Sequence, residues 1–129
     1  MAGYSRAVRV GRLVWIAGTT ATDADGNVTA PGDAAAQTRQ TLANVQRGLE
    51  SAGARLEHVV RTRMFVTDIS RWEEIARAHG EIFRDIRPAS TMVQVSALIH
   101  PDMLIEIEAD ACIPEGDGPP GVPAQRRMR

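Results

Sequence analysis

The sequence predicts an α+β fold of order ββαβαββ, with one mixed sheet and both helices on a single face. Three observations point there. Apolar residues recur with period two near both ends of the chain, two intervening stretches show helical spacing, and 129 residues suit a single hydrophobic core.

Val8 to Thr19 opens with alternation broken at Gly11-Arg12, the punctuation of a hairpin between two short strands. Asp23 to Gly32 contains Asp25-Gly26-Asn27 and Pro31-Gly32, residues suited to turns, and reads as a loop. Asp33 to Gly53 reads as a helix: Asp33 caps it, Thr38, Leu42, Val45 and Leu49 form one face, and Gly53 ends it. Val59 to Asp68 is a strand with Val60, Thr62, Met64 and Val66 on one face and Arg61, Arg63 and Phe65 on the other. Ser70 and Glu73 form a capping box for a second helix with the stripe Trp72, Ile75, Ala76, His79, Ile82 and Phe83, ending before Pro88. Ala89 to Leu98 and Met103 to Ile113 are the last strands, separated by the turn His100-Pro101-Asp102. Residues 1–113 therefore form the domain. Residues 114–129 (PEGDGPPGVPAQRRMR) have no periodic apolar face and read as a flexible Pro/Gly-rich tail.

Strand parity sorts side chains between the helices and the open face. In the last strand Ile105, Ile107, Ala109 and Ala111 go under the helices, and Leu104, Glu106, Glu108 and Asp110 go to the other side. In the preceding strand the same count assigns Ala89, Thr91, Val93 and Val95 to the helices and Ser90, Met92, Gln94 and Ser96 to the open face. The charged open face has two readings: a solvated surface with weak ion pairs, or a face that closes around a symmetry axis to make pockets at subunit boundaries. Parity does not choose between them.

Composition removes several function classes. Fifteen basic against sixteen acidic residues give a net charge of −1, which lacks the positive field of non-specific nucleic-acid binding. All fifteen basic residues are Arg, so Schiff-base lysines, PLP-lysine linkages and the P-loop lysine are excluded. A single cysteine, Cys112, permits neither an intrachain disulfide nor a cysteine zinc cluster, and it reads as a small buried hydrophobe. No run of apolar residues is long enough to span a membrane, and MAGYSRAVRV lacks a signal-peptide core, so a cytoplasmic location is expected. The acids and histidines show no metal-ligand spacing, and no metal site is predicted. The five aromatics are dispersed, unlike a base-stacking platform. His79 reads as a packed, hydrogen-bonded core histidine, and His58 and His100 as loop residues.

Five ordered segments carry a family resemblance: Leu13 to Thr19 (LVWIAGT), Ala36 to Leu49 (AQTRQTLANVQRGL), Val59 to Asp68 (VVRTRMFVTD), Arg87 to Val95 (RPASTMVQV) and Ile105 to Ala111 (IEIEADA). Together they resemble the reactive-intermediate deaminase family, RidA, also called the YjgF group, collinearly from about Tyr4 to Ile113. The resemblance implies a chorismate-mutase-like fold and a homotrimer whose sheets build a central barrel, with a small-molecule pocket at each subunit interface. It also implies hydrolysis of short-lived enamines and imines to 2-oxo acids and ammonia without a cofactor. Ribonuclease activity is attached to some relatives, and no feature of these residues supports it.

Transferred position by position, the resemblance makes Glu106 the catalytic group that holds or activates water, and puts Tyr4 and Gly18 in the pocket. Three positions depart from the family pattern. Ser90 stands where deaminating members have the arginine that clamps the substrate carboxylate, Ala17 replaces a pocket serine, and Met92 replaces a cysteine. A guanidinium binds a carboxylate bidentately and a hydroxyl cannot, so 2-imino acids should bind poorly. Arg87 and Arg63 are the candidate substitutes, although Arg63 is better placed as a partner of Glu108. Two functions follow: a hydrolase of the enamine and imine deaminase type with a changed substrate preference, or a non-catalytic small-molecule-binding module on the same trimeric scaffold.

Overall fold

In a computed structural model, residues 2–115 are described. The hairpin forms as expected from β1 (Ala7–Val10) and β2 (Leu13–Thr20), and Gly11 takes φ +60° at its turn, a conformation that favours glycine. Helix α1 (Ala34–Ser51) starts where Asp33 Oδ1 accepts the Ala36 N–H at 3.0 Å and ends before Gly53 at φ +82°. Strand β3 (Val59–Val66), helix α2 (Trp72–Phe83), β4 (Ala89–Gln94) and β5 (Ile105–Cys112) complete the predicted order. The predicted tail lies, from Gly116 onward, outside the described residues.

The sheet has the strand order β1-β2-β5-β3-β4 and is mixed: β3 and β4 run parallel, and every other pair is antiparallel. Alternation on β5 is as predicted, with Ile105, Ile107, Ala109 and Ala111 buried and Glu106, Glu108 and Asp110 half-exposed on the other face. The buried set packs with Val14, Ile16, Met64 and Val66 against Leu42, Val45 and Leu49 of α1 and Ile75 and Phe83 of α2. The α1 face also carries polar groups. Gln37 donates to the Asp102 carbonyl at 2.8 Å and accepts the Leu104 N–H at 2.8 Å, which ties the helix to the approach to β5.

Several expectations are corrected. A register shift between Val59 and Arg61 against β5 puts Val59, not Val60, in the core, because a bulge inverts parity on one side of itself. Trp72 is 51% exposed and does not belong to the α2 stripe. The predicted capping box is replaced by Asp68, whose carboxylate accepts from the Ser70 N–H and hydroxyl, ahead of a short 3-10 turn at Ile69–Arg71. Strand β4 ends at Gln94, whose Oε1 accepts the Ile69 N–H, instead of continuing to Leu98.

The largest correction concerns the faces of β4. Parallel pairing aligns Ser90 with Thr62 and Met92 with Met64, and both β3 residues are buried under the helices. Ser90 and Met92 therefore face the helices, while Thr91 and Val93 lie on the open face with Arg63 and Phe65. Parity alone could not show this, because each face of β4 mixes small, polar and apolar groups.

Candidate functional site

The site is built where β2 departs from regular pairing. Ile16 aligns with Ala109 and Thr19 with Ile107, so Ala17 and Gly18 bulge out of the ladder with β5. The bulge is tied down by the Ala17 N–H to the Arg6 carbonyl at 2.9 Å and by the Thr19 hydroxyl to the Ala17 carbonyl at 2.7 Å. Over it lies a cleft of about 140 Å³ lined by Tyr4, Arg6, Ala17, Gly18, Thr20 and Asn44, among others. Tyr4 is 75% exposed at its mouth. Arg6, Thr22 and Asn44 also line a neighbouring cleft of about 390 Å³, which reaches Arg47 and Ser51 on α1.

Glu106 stands against Gly18. A methyl group built on Gly18 would come within 2.8 Å of Glu106 Oε2 and 2.9 Å of its Cδ, so the carboxylate occupies the space that any other residue at 18 would fill. Partial burial raises the Glu106 carboxyl above its ordinary range, and the neighbouring carboxylate of Glu108 adds to the rise. Arg63 pairs with Glu108 at 3.3 Å and Asp110 at 3.4 Å, and within the chain Glu106 makes no ion pair among the described residues. Arg63 is thus engaged by two carboxylates of β5.

Tyr4, Ala17, Gly18 and Glu106 are brought together at one end of β2. Ser90 and Met92 are not. They lie on β4, and two strands, β5 and β3, separate β4 from β2. At a strand spacing of about 4.8 Å this is on the order of 14 Å across the sheet, and they face the helices while Glu106 is on the open face. Ser90 is nevertheless exposed at the sheet edge, and its hydroxyl is 2.8 Å from that of Thr62. Thr62 is in turn 2.9 Å from His79 Nε2 on α2. His79 is packed and hydrogen-bonded as predicted, with its ring 4.6 Å from that of Phe83, and burial pushes its pKa down to about 4, so the imidazole is neutral at pH 7. His58, expected in a loop, instead closes a short 3-10 turn at Leu56–His58, whereas His100 lies in a loop as expected; the Nδ1 of each accepts a local backbone N–H.

Sequence reasoning missed Arg6 and Asn44. Asn44 is buried and donates to the carbonyls of Thr20 and Thr22, each at 2.9 Å, which holds the end of β2 against α1. A signal was present: Gln37, Thr41, Asn44 and Gly48 follow helical spacing beside the apolar stripe, and buried amides at such positions usually have structural partners.

The family model described as Endoribonuclease L-PSP matches residues 1–113. The 3-aminoacrylate deaminase RutC of Acinetobacter baylyi is 36% identical over 111 residues, covering 86% of this chain and 87% of that protein. The chain belongs to the RidA/YjgF family. Among solved structures, Rv2704 of Mycobacterium tuberculosis, described as a member of the YjgF/YER057c/UK114 family, is 52% identical with a TM-score of 0.79, covering 87% of this chain and 88% of that one. TdcF of E. coli, solved with bound serine, is 27% identical with a TM-score of 0.78, covering 87% and 89%. The family fold thus accounts for the five-stranded sheet and its two helices.

Proposed function

We propose that this protein is a hydrolase of small enamines or imines, working at pockets between the subunits of a homotrimer in the cytoplasm. Its preference is shifted away from 2-imino acids, and residues 1–113 are the working unit. The observation that carries this reading is the Glu106 carboxylate, unpaired among the described residues, held against the Gly18 backbone and raised in pKa by burial. The deaminase relative supports the reaction class. No cofactor is required for the chemistry.

An enamine first tautomerises to the imine. Water then adds to the C=N carbon while Glu106 takes a proton from it, and protonated nitrogen leaves as ammonia when the carbonyl forms. A carboxyl with a raised pKa is a stronger base when ionised, which suits proton abstraction from water. Tyr4, Ala17 and Gly18 shape the pocket around the reacting carbon. Ser90 and Met92 belong to the same pocket only if a neighbouring subunit brings its β4 edge to the Glu106 end of β2, because within one chain they are too far apart.

The departure at Ser90 favours a second reading, a binding module that keeps the pockets without turnover. Deamination of freshly generated 2-iminopropanoate and of its amide, above the spontaneous rate, separates the two. Turnover abolished by Glu106→Ala supports the hydrolase. Absence of turnover in the natural sequence and in Ser90→Arg alike would leave the binding module.

A further inference from the structure

Behind Ser90 lies a hydrogen-bonded chain that a surface serine does not need. Its hydroxyl is 2.8 Å from Thr62 Oγ1, and Thr62, fully buried, is 2.9 Å from Nε2 of the largely buried His79. Thr62 has one hydroxyl proton, so it donates to one neighbour and accepts from the other. The chain therefore runs in one direction at a time. If His79 Nε2 carries the proton, it donates to Thr62, Thr62 donates to Ser90, and the Ser90 proton points outward. If Nε2 is bare, Ser90 donates inward, and its lone pairs face outward. A neutral imidazole has both tautomers, so Ser90 can present a donor or an acceptor to whatever meets it.

We propose that Ser90, backed by Thr62 and His79, is a specificity subsite for an uncharged hydrogen-bonding group of the ligand, a primary amide or carbonyl, in place of a carboxylate. The inference rests on the interface-pocket reading above and names the chemistry that the pocket selects. At this position a carboxylate would meet the single neutral donor of the Ser90 hydroxyl in place of the bidentate fork of a guanidinium. The β3 guanidinium of Arg63 is on the opposite face of the sheet, engaged by Glu108 and Asp110. A desolvated carboxylate with a single neutral hydrogen bond is disfavoured, whereas an amide matches a hydroxyl of either polarity. Thr62 and His79 are positioning residues: they touch Ser90 or its neighbour, not the ligand.

The test uses the full chain and the isosteric probes 2-oxopropanamide and 2-oxopropanoate, with Kd read by NMR titration. The natural protein is expected to bind the amide about 10-fold more tightly than the carboxylate. Thr62→Val, which keeps the shape and removes the bridge, should weaken the amide about 5- to 10-fold and leave the carboxylate unchanged, while Thr62→Ser keeps the natural ratio. The 15N shifts of His79 should move when the amide binds to the natural protein and stay fixed in Thr62→Val, a response that a purely structural threonine would not give. A natural preference for the carboxylate, an unchanged ratio in Thr62→Val, or no binding of either probe would overturn the subsite. Failure of the hydrolase reading is separately visible, as absent imine turnover alongside an intact amide preference and an intact Thr62→Val response.

Discussion

Gly18→Ala separates the chemistry of the site from the stability of the fold. Gly18 has no left-handed φ, so the backbone accepts alanine without strain. The new methyl would, however, stand 2.8 Å from Glu106 Oε2 and 2.9 Å from Cδ, well inside a normal contact. Relief needs the carboxylate to retreat by about 0.5 Å or more, and turning its side chain off its rotamer costs about 0.5–1.5 kcal/mol. Only the far end of a half-exposed side chain has to move, so the unfolding free energy should fall by about 1 kcal/mol or less. Catalysis is more sensitive, since displacing a reacting group by about 1 Å can cost on the order of 100-fold. The expected result is a loss of roughly 10- to 100-fold in kcat/KM for imine hydrolysis, with a urea midpoint close to that of the natural protein. Steady-state kinetics and urea melts on the same preparation decide it. Full turnover in Gly18→Ala, combined with none in Glu106→Ala, would refute the claim that the contact with Gly18 sets the position of the carboxylate.

Three further outcomes are expected. His79 has a folded pKa of about 4 against an ordinary 6.5, so the unfolded chain takes up its proton first; the associated stability is intact above pH 6.5 and drains away by about 3 kcal/mol as pH falls to 4. Urea melts of the natural protein and His79→Gln should therefore converge or cross between those pH values, and parallel curves would exclude a neutral, buried imidazole. Asn44→Ala strands the carbonyls of Thr20 and Thr22 and should cost about 2–3 kcal/mol in urea unfolding, with a loss under about 0.5 kcal/mol counting against the clamp. Light scattering at micromolar concentration should give about three times the chain mass of 14.0 kDa, and a monomer would remove the interface pocket altogether.

What could be read in the sequence follows from how strongly each element discriminates its two faces. On β5, aliphatic residues alternate with carboxylates, so parity has only one solution, and the buried set is as expected. On α1, Asp33 and Gly53 mark the ends chemically as well as by period, and the helix lies between them. Bulges carry no comparable signal. Nothing in Val59-Val60-Arg61 announces the register shift that exchanges Val59 for Val60 in the core, because either valine could be buried at the same gain. The family resemblance assigned Glu106 and Gly18 to one site but not their contact, which depends on the β2–β5 register and on a second bulge.

The ambiguity of β4 has the same physical source, and it bears on function. Ser90, Thr91, Met92 and Val93 offer neither face a clear excess of apolar area, so burial gives no preference large enough to fix parity from the strand itself. The face is set instead against β3, where the buried Thr62 hydroxyl, already bonded to His79, gains Ser90 as a second partner. Inverting β4 would take Ser90 away from Thr62 and expose Met92, which now packs against the core beside Met64. The polar contact that fixes the strand is therefore also the contact that gives Ser90 its hydrogen-bonding character. A substitution at Thr62 should be felt both in the order of the β4 edge and in ligand choice, and the fact that Thr62→Ser keeps the hydroxyl is what allows the two effects to be told apart.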